Sequence, residues 1–153
     1  MKRSEPNAPH SVDILPGTGQ RLHHLGFVIA SISETASDFA ESLSGTWDGK
    51  IFVDPLQRVR VTFLKGPGLS DALFELIEPD APDSPVLGFL KKGGGLHHVC
   101  YEVMFLDKHL EHIQSLGAKL VRPPMPAVAF GGRRIAWVYT KHRLLIEFLE
   151  AKR

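Results

Sequence analysis

The sequence predicts an α+β fold of two tandem βαβββ modules that together form one cupped, eight-stranded mixed sheet. Three observations carry this expectation. The line "LHHLGFVI" at 22–29 is written again 74 residues later as "LHHVCYEV" at 96–103. Each copy is followed by one helical pattern and then by three strand-like runs. Each half also closes on an apolar run broken by a single acidic residue, Glu75 in "LFELI" and Glu147 in "LIEFL". Self-similarity at a fixed period dictates architecture, so it is read before any other feature.

The elements follow in order. Residues 1–20 hold three Pro and two Gly among small polar residues and read as a flexible leader. The first module occupies 21–80. It opens with a strand at 22–30, then a helix whose apolar positions Ile32, Ala36, Phe39, Ala40 and Leu43 recur at helical spacing, with Ser33 as its N-cap and Gly45 as its stop. Strands at 50–54, 59–64 and 72–78 complete it. A connector at 81–95, "APDSPVLGFLKKGGG", has a Pro-rich start, a short helix-like centre and a triple Gly. The second module, 96–153, repeats the order with a strand at 96–103, a helix at 106–116 stopped by Gly117, and strands at 118–122, 134–139 and 144–150.

Composition narrows the function classes. Eighteen Lys and Arg against seventeen Asp and Glu leave a formal charge of +1, which supports no broad footprint for nucleic acid or for a membrane surface. No apolar run approaches the roughly 20 residues that span a bilayer. The single cysteine, Cys100, cannot form an intrachain disulfide, and the N-terminus lacks a signal peptide's apolar core, so a cytoplasmic setting is expected. Cys100 reads as a small buried hydrophobe rather than a nucleophile.

The chemistry lies in the repeat. His24 and His98 are 74 residues apart and Glu75 and Glu147 are 72 apart, so one His and one Glu recur at matching places in both modules. A carboxylate inside a strand's apolar run is costly unless it is paired or bound to a metal. With the modules related by a local two-fold axis, His24, Glu75, His98 and Glu147 converge between the sheets as a site for one divalent ion. Imidazole and carboxylate donors suit zinc, nickel, cobalt, manganese or iron, and they do not choose among them.

Several segments resemble one family in one order. "HHLGFVIASI" opens as members of the vicinal oxygen chelate (glyoxalase/bleomycin resistance/dioxygenase) superfamily open, and the likeness is greatest to its methylmalonyl-CoA epimerases. "FELIEPDAPDSPVLGFL" is similar to their "ELLEP…DSPIAKFL", "GGGLHHVCYEV" to "GxGLHHIAFEV", "GGRRIAWVY" to "GGKRIAFLH", and "LLIEFLE" to "VLIELVE". The resemblance covers 22–150 and implies a glyoxalase-like fold, with metal ligands at the same four residues. It makes the second histidine of each pair the ligand, and strand alternation then turns His23 and His97 to the opposite face. It also implies a homodimer and a small-molecule substrate, an acyl-CoA or another thioester.

One departure bears on mechanism. The epimerases carry a glutamate base in a "PEQGV"-like stretch, whereas this chain reads "PLQRV" with Leu56 at that place. The "HPKSTGGV" hairpin is shortened to "YTKHRLL", which changes the rim of the site. The resemblance implies proton abstraction beside a carbonyl, with Glu147 as first base and with Glu75, Asp54, Gln57 through a water, or no residue at all as the second group, the last leaving enolisation by one base. Two other functions share the scaffold: a glyoxalase I-like lyase acting on a glutathione hemithioacetal, and a small-molecule binding module without catalysis. Lys91, Lys92, Arg133, Arg134, Lys141 and Arg143 are candidates to receive phosphates of a CoA-like substrate. Glu78 and Glu150 read as solvated strand ends, and His109, His112 and His142 as surface residues.

Overall fold

The central strand of the first half, β1 (Arg21–Val28), buries His24, Gly26 and Val28, so one face of its period-2 alternation is closed off from solvent. A computed structural model describes residues 19–68 and 72–153, and the predicted leader, save Gly19 and Gln20, lies outside the described residues. β1 leads into α1 (Ile32–Ser42), which buries Ile32, Ala36 and Ala40 along one stripe. Its N-cap is Ser31, whose Oγ accepts from the Glu34 N–H, and not Ser33 as the spacing suggested. Ile32 is already helical, and its free N–H donates to Glu78 Oε2 at 2.7 Å. Glu78 is therefore not a solvated strand end. It closes the helix N-terminus and also pairs with Arg60.

Among the described residues the sheet has nine strands rather than eight. The run expected at 50–54 is β3 (Phe52–Asp54), and a further short strand, β2 (Thr46–Trp47), precedes it, both paired to β4 (Val59–Lys65). Between them the chain leaves the ladder through a turn in which Asp48 Oδ1 accepts from the Lys50 N–H and Gly49 takes φ 77°. The buried Thr62 stitches this excursion to the sheet, donating to the Lys50 carbonyl and accepting from Trp47 Nε1. β5 (Leu73–Pro79) completes the half.

The connector contains α2 (Leu87–Lys91), and three consecutive glycines with positive φ then turn the chain into β6 (Gly95–Val103). α3 (Leu106–Ser115) ends at Gly117, which adopts φ 93° and stops the helix as the spacing predicted. β7 (Lys119–Pro126), β8 (Arg134–Tyr139) and β9 (Leu145–Glu150) follow. β7 is longer than expected and contains Pro123 and Pro124, which lack N–H donors. It tolerates them because it is an edge strand with two register slips.

Strand order is β2-β4-β5-β1-β6-β9-β8-β7, with β3 beside β4. β1 and β6 pair antiparallel at the centre, and each is parallel to the last strand of its own half, β5 or β9. Phe27, Leu64 and Leu76 pack under α1, while Val103, Val138 and Phe148 pack under α3. The opposite, concave face of the cupped sheet is left to build a site. No helix among the described residues is long and apolar enough to cross a membrane.

Candidate metal centre

Strand register assembles the site. Glu75 on β5 is level with Gly26 on β1, and Gly26 is level with His98 on β6. His24 on β1 is level with Cys100 on β6, and Cys100 is level with Glu147 on β9. Residues level across a ladder face the same side, and His24 and Gly26 are two apart, so all four candidate ligands share the concave face. Their ligand atoms lie within 4.8 Å of one another. His24 Nε2 is 3.0 Å from His98 Nε2 and 3.1 Å from both Glu75 Oε2 and Glu147 Oε2.

Gly26 makes this approach feasible. A Cβ at that position would overlap the His98 ring. Gly26→Ala is therefore expected to displace His98, lowering divalent-ion affinity by about 10- to 100-fold and stability by about 1–3 kcal/mol. Chelator competition and thermal unfolding check this, and an unchanged affinity would show that the His98 position is not critical.

All four side chains are buried, Glu75 the least so at 6% exposed. Burial works against charge on His24, but Glu75, Cys100 and Glu147 raise its pKa well above the ordinary imidazole value. Burial likewise opposes ionisation of Glu147, and the two imidazoles override it, holding that carboxyl well below its usual range. Glu147 Oε2 is nonetheless buried with no N–H aligned to donate to it. Donor atoms crowded around one point, one carboxylate oxygen orphaned, fit a bound cation, and two carboxylates would balance a divalent charge.

The cavity above the cluster has a volume of about 170 Å³. Apart from Glu75 and Glu147 its walls are mainly apolar, with Trp137, Phe130, Val61 and Ile77 prominent. Asp54 and Gln57 line it, whereas Leu56 is 54% exposed and does not. Asp54 is already engaged: Oδ1 accepts from the Leu56 and Gln57 N–H groups, and Oδ2 from Gln57 Nε2 and the Val128 N–H. It braces the β3–β4 turn against the 3-10 turn at Val128–Phe130. Gln57 in turn accepts from Trp137 Nε1 at 3.3 Å.

Three sequence readings change. His23 and His97 do not point away from the cluster. The β1–β6 register slips at each, and their Nδ1 atoms lie 2.8 Å and 3.1 Å from those of His24 and His98. A β-bulge suspends the alternation on which the expectation rested. Burial, reinforced by the neighbouring histidine, pushes the pKa of both His23 and His97 down to about 4. Second, Arg133 and Arg134 are bound elsewhere, the first to Glu102 and the second to Glu150 and Asp107, so Glu150 is not a free strand end. Third, among the described residues the cation that does line the cavity is Arg122, which sequence reasoning missed because nothing marks its strand face. Cys100 is buried and its thiol pKa is pushed up by that burial, in keeping with an inert hydrophobe.

A mixed sheet cupped around a repeated His and Glu set defines a class. The chain belongs to the Glyoxalase/Bleomycin resistance protein/Dioxygenase superfamily, whose pattern it matches over residues 23–137. Within that family it is 28% identical over 123 residues to the ethylmalonyl-CoA/methylmalonyl-CoA epimerase of Cereibacter sphaeroides, spanning 79% of this chain and 89% of that protein. It is 36% identical over 125 residues to the mitochondrial methylmalonyl-CoA epimerase of Mus musculus, spanning 79% of this chain and 66% of that one. The solved methylmalonyl-CoA epimerase of Mycobacterium tuberculosis superimposes with a TM-score of 0.75 at 26% identity, over 86% of this chain and 88% of that one. A Streptomyces coelicolor methylmalonyl-CoA epimerase variant in complex with 2-nitronate-propionyl-CoA gives a TM-score of 0.74 at 25% identity, over 87% and 98%.

Proposed function

We propose that this chain is a metal-dependent epimerase or isomerase that moves the proton on the carbon beside the carbonyl of an acyl thioester. The observation that carries the reading is the buried convergence of His24, Glu75, His98 and Glu147 under an apolar cavity. These four side chains would hold one divalent ion, zinc, nickel, cobalt, manganese or iron. When bound, that ion supplies Lewis acidity that lowers the energy of negative charge developing on the substrate's oxygens.

The chain's own groups do the rest. Glu147, held ionised and acting as a displaceable ligand, takes the proton from carbon. Glu75 occupies the matching place in the other half of the repeat; in its protonated form it would return a proton to the other face of the carbon, in place of the carboxylate absent at Leu56, leaving Glu147 protonated and Glu75 ionised until solvent resets both. Apolar walls from Val61, Ile77 and Trp137 keep water from competing. Arg122 lines the cavity with no carboxylate in ion-pair reach among the described residues, which suits a substrate bearing carboxylate or phosphate. A homodimer and a cytoplasmic setting belong to the same reading.

Metal-loaded protein in deuterium oxide is expected to place deuterium at the 2-position of 2-substituted acyl-CoA thioesters, read by mass spectrometry. No incorporation across such a panel would overturn the substrate assignment. The exposed Leu56 favours one alternative, since a single base suffices for a lyase acting on a glutathione hemithioacetal. Product from methylglyoxal and glutathione would point there.

A further inference from the structure

His23 and His97 form a second repeated pair, and neither has a role in the reading above. The β1–β6 ladder runs Leu22↔Tyr101 and then His24↔Cys100, so His23 is the extra residue of a bulge. It runs Gly26↔His98 and then Phe27↔Leu96, so His97 is the extra residue of another. The same irregularity therefore occurs twice, at positions related by the internal repeat. A regular strand would send these rings to the far face, and the bulges bring them against the ligands instead.

The hydrogen-bond arithmetic is restrictive. In the cluster, His24 and His98 both present Nε2. A neutral imidazole has one N–H, so a ring that offers the Nε2 lone pair to a cation carries its proton on Nδ1. That proton points at His23 Nδ1 in one half and at His97 Nδ1 in the other, at 2.8 Å and 3.1 Å. Two N–H groups cannot face each other there, so His23 and His97 must accept, with their own protons on Nε2. Their rings are clamped from behind: His23 edge-on to Phe130 at 5.2 Å, and His97 edge-on to Phe89 at 4.9 Å.

We infer that His23 and His97 are positioning residues that fix the tautomer and ring angle of His24 and His98 for metal binding. This rests on the metal reading above. Metal-ligating histidines ordinarily direct the second ring N–H to a carboxylate, a carbonyl or water. A neutral imidazole does the same without adding negative charge beside two carboxylates.

The test uses the full chain and cobalt(II) as probe. His23→Leu and His97→Leu, which delete the acceptor, are expected to weaken cobalt affinity by about 10- to 100-fold and to shift its visible absorption bands. His23→Asn and His97→Asn keep an oxygen acceptor near the Nδ1 position and are expected to recover most of both. Leu variants that bind within about twofold of the native protein, with the same spectrum, overturn the inference. Native protein that binds no cobalt overturns the metal reading and this inference together. Long-range proton–nitrogen NMR of the zinc-loaded native protein gives a reading independent of variant folding. Protons on Nε2 of His23 and His97 are expected, and protons on Nδ1 there would sink the assignment.

Discussion

Replacing both cluster imidazoles, His24→Ala with His98→Ala, is expected to take divalent-ion content from about one per chain to less than about a tenth. Elemental analysis of protein purified without chelators measures it. The variant also leaves Glu75 and Glu147 buried and facing each other with no cation between them, a state that costs several kcal/mol, roughly 3–5, when a buried pair loses one partner. Its pH dependence runs opposite to that of the native protein. In the native metal-free protein, the depressed pKa of Glu147 contributes stability above the ordinary carboxylate pKa, and this is lost as pH falls toward the lowered value. Without the imidazoles only burial remains, which raises the carboxyl pKa, so the variant should lose stability as pH rises through the carboxylate range. Thermal unfolding in EDTA across that range checks the reversal. A native protein that takes up no metal even after reconstitution would make the histidines scaffold and favour the small-molecule binding module.

Glu147→Gln should separate proton transfer from ligation. The amide keeps an oxygen donor of nearly the same size, but it cannot accept a proton from carbon. At saturating metal, turnover and deuterium incorporation are expected to fall about 10²- to 10⁴-fold, while the metal still binds with an affinity weakened about 10- to 100-fold. Full turnover in this variant would move the base to Glu75 or Asp54. Asp54 is the poorer candidate, since both its oxygens are engaged by N–H donors that hold two turns together.

Much of this was legible in the residues. The doubled "LHH" lines, the two helices and the terminal strands with one glutamate each located the elements, because the same supersecondary unit is written twice. What the pattern did not carry was register. The bulges at His23 and His97 appear only when β1 and β6 are paired, since period-2 alternation assumes an unbroken ladder. The additional strand β2 shows only once it is paired with β4, where Thr62 also reaches the Lys50 carbonyl. Charge pairing was hidden for the same reason. Arg133 and Arg134 read as free cations, but Glu102, Asp107 and Glu150 lie distant in sequence and meet them only in the folded sheet.

The sequence by itself determined the repeat, the donor types and the two carboxylates placed in apolar strands, since these are properties of composition and spacing along one chain. The tertiary structure decided which atoms meet. Glu75 comes level with His98 through Gly26, and His24 comes level with Glu147 through Cys100, because hydrogen-bond register across β5, β1, β6 and β9 sets which side chains share a row. Register is an interaction between strands, and no single strand's pattern encodes it.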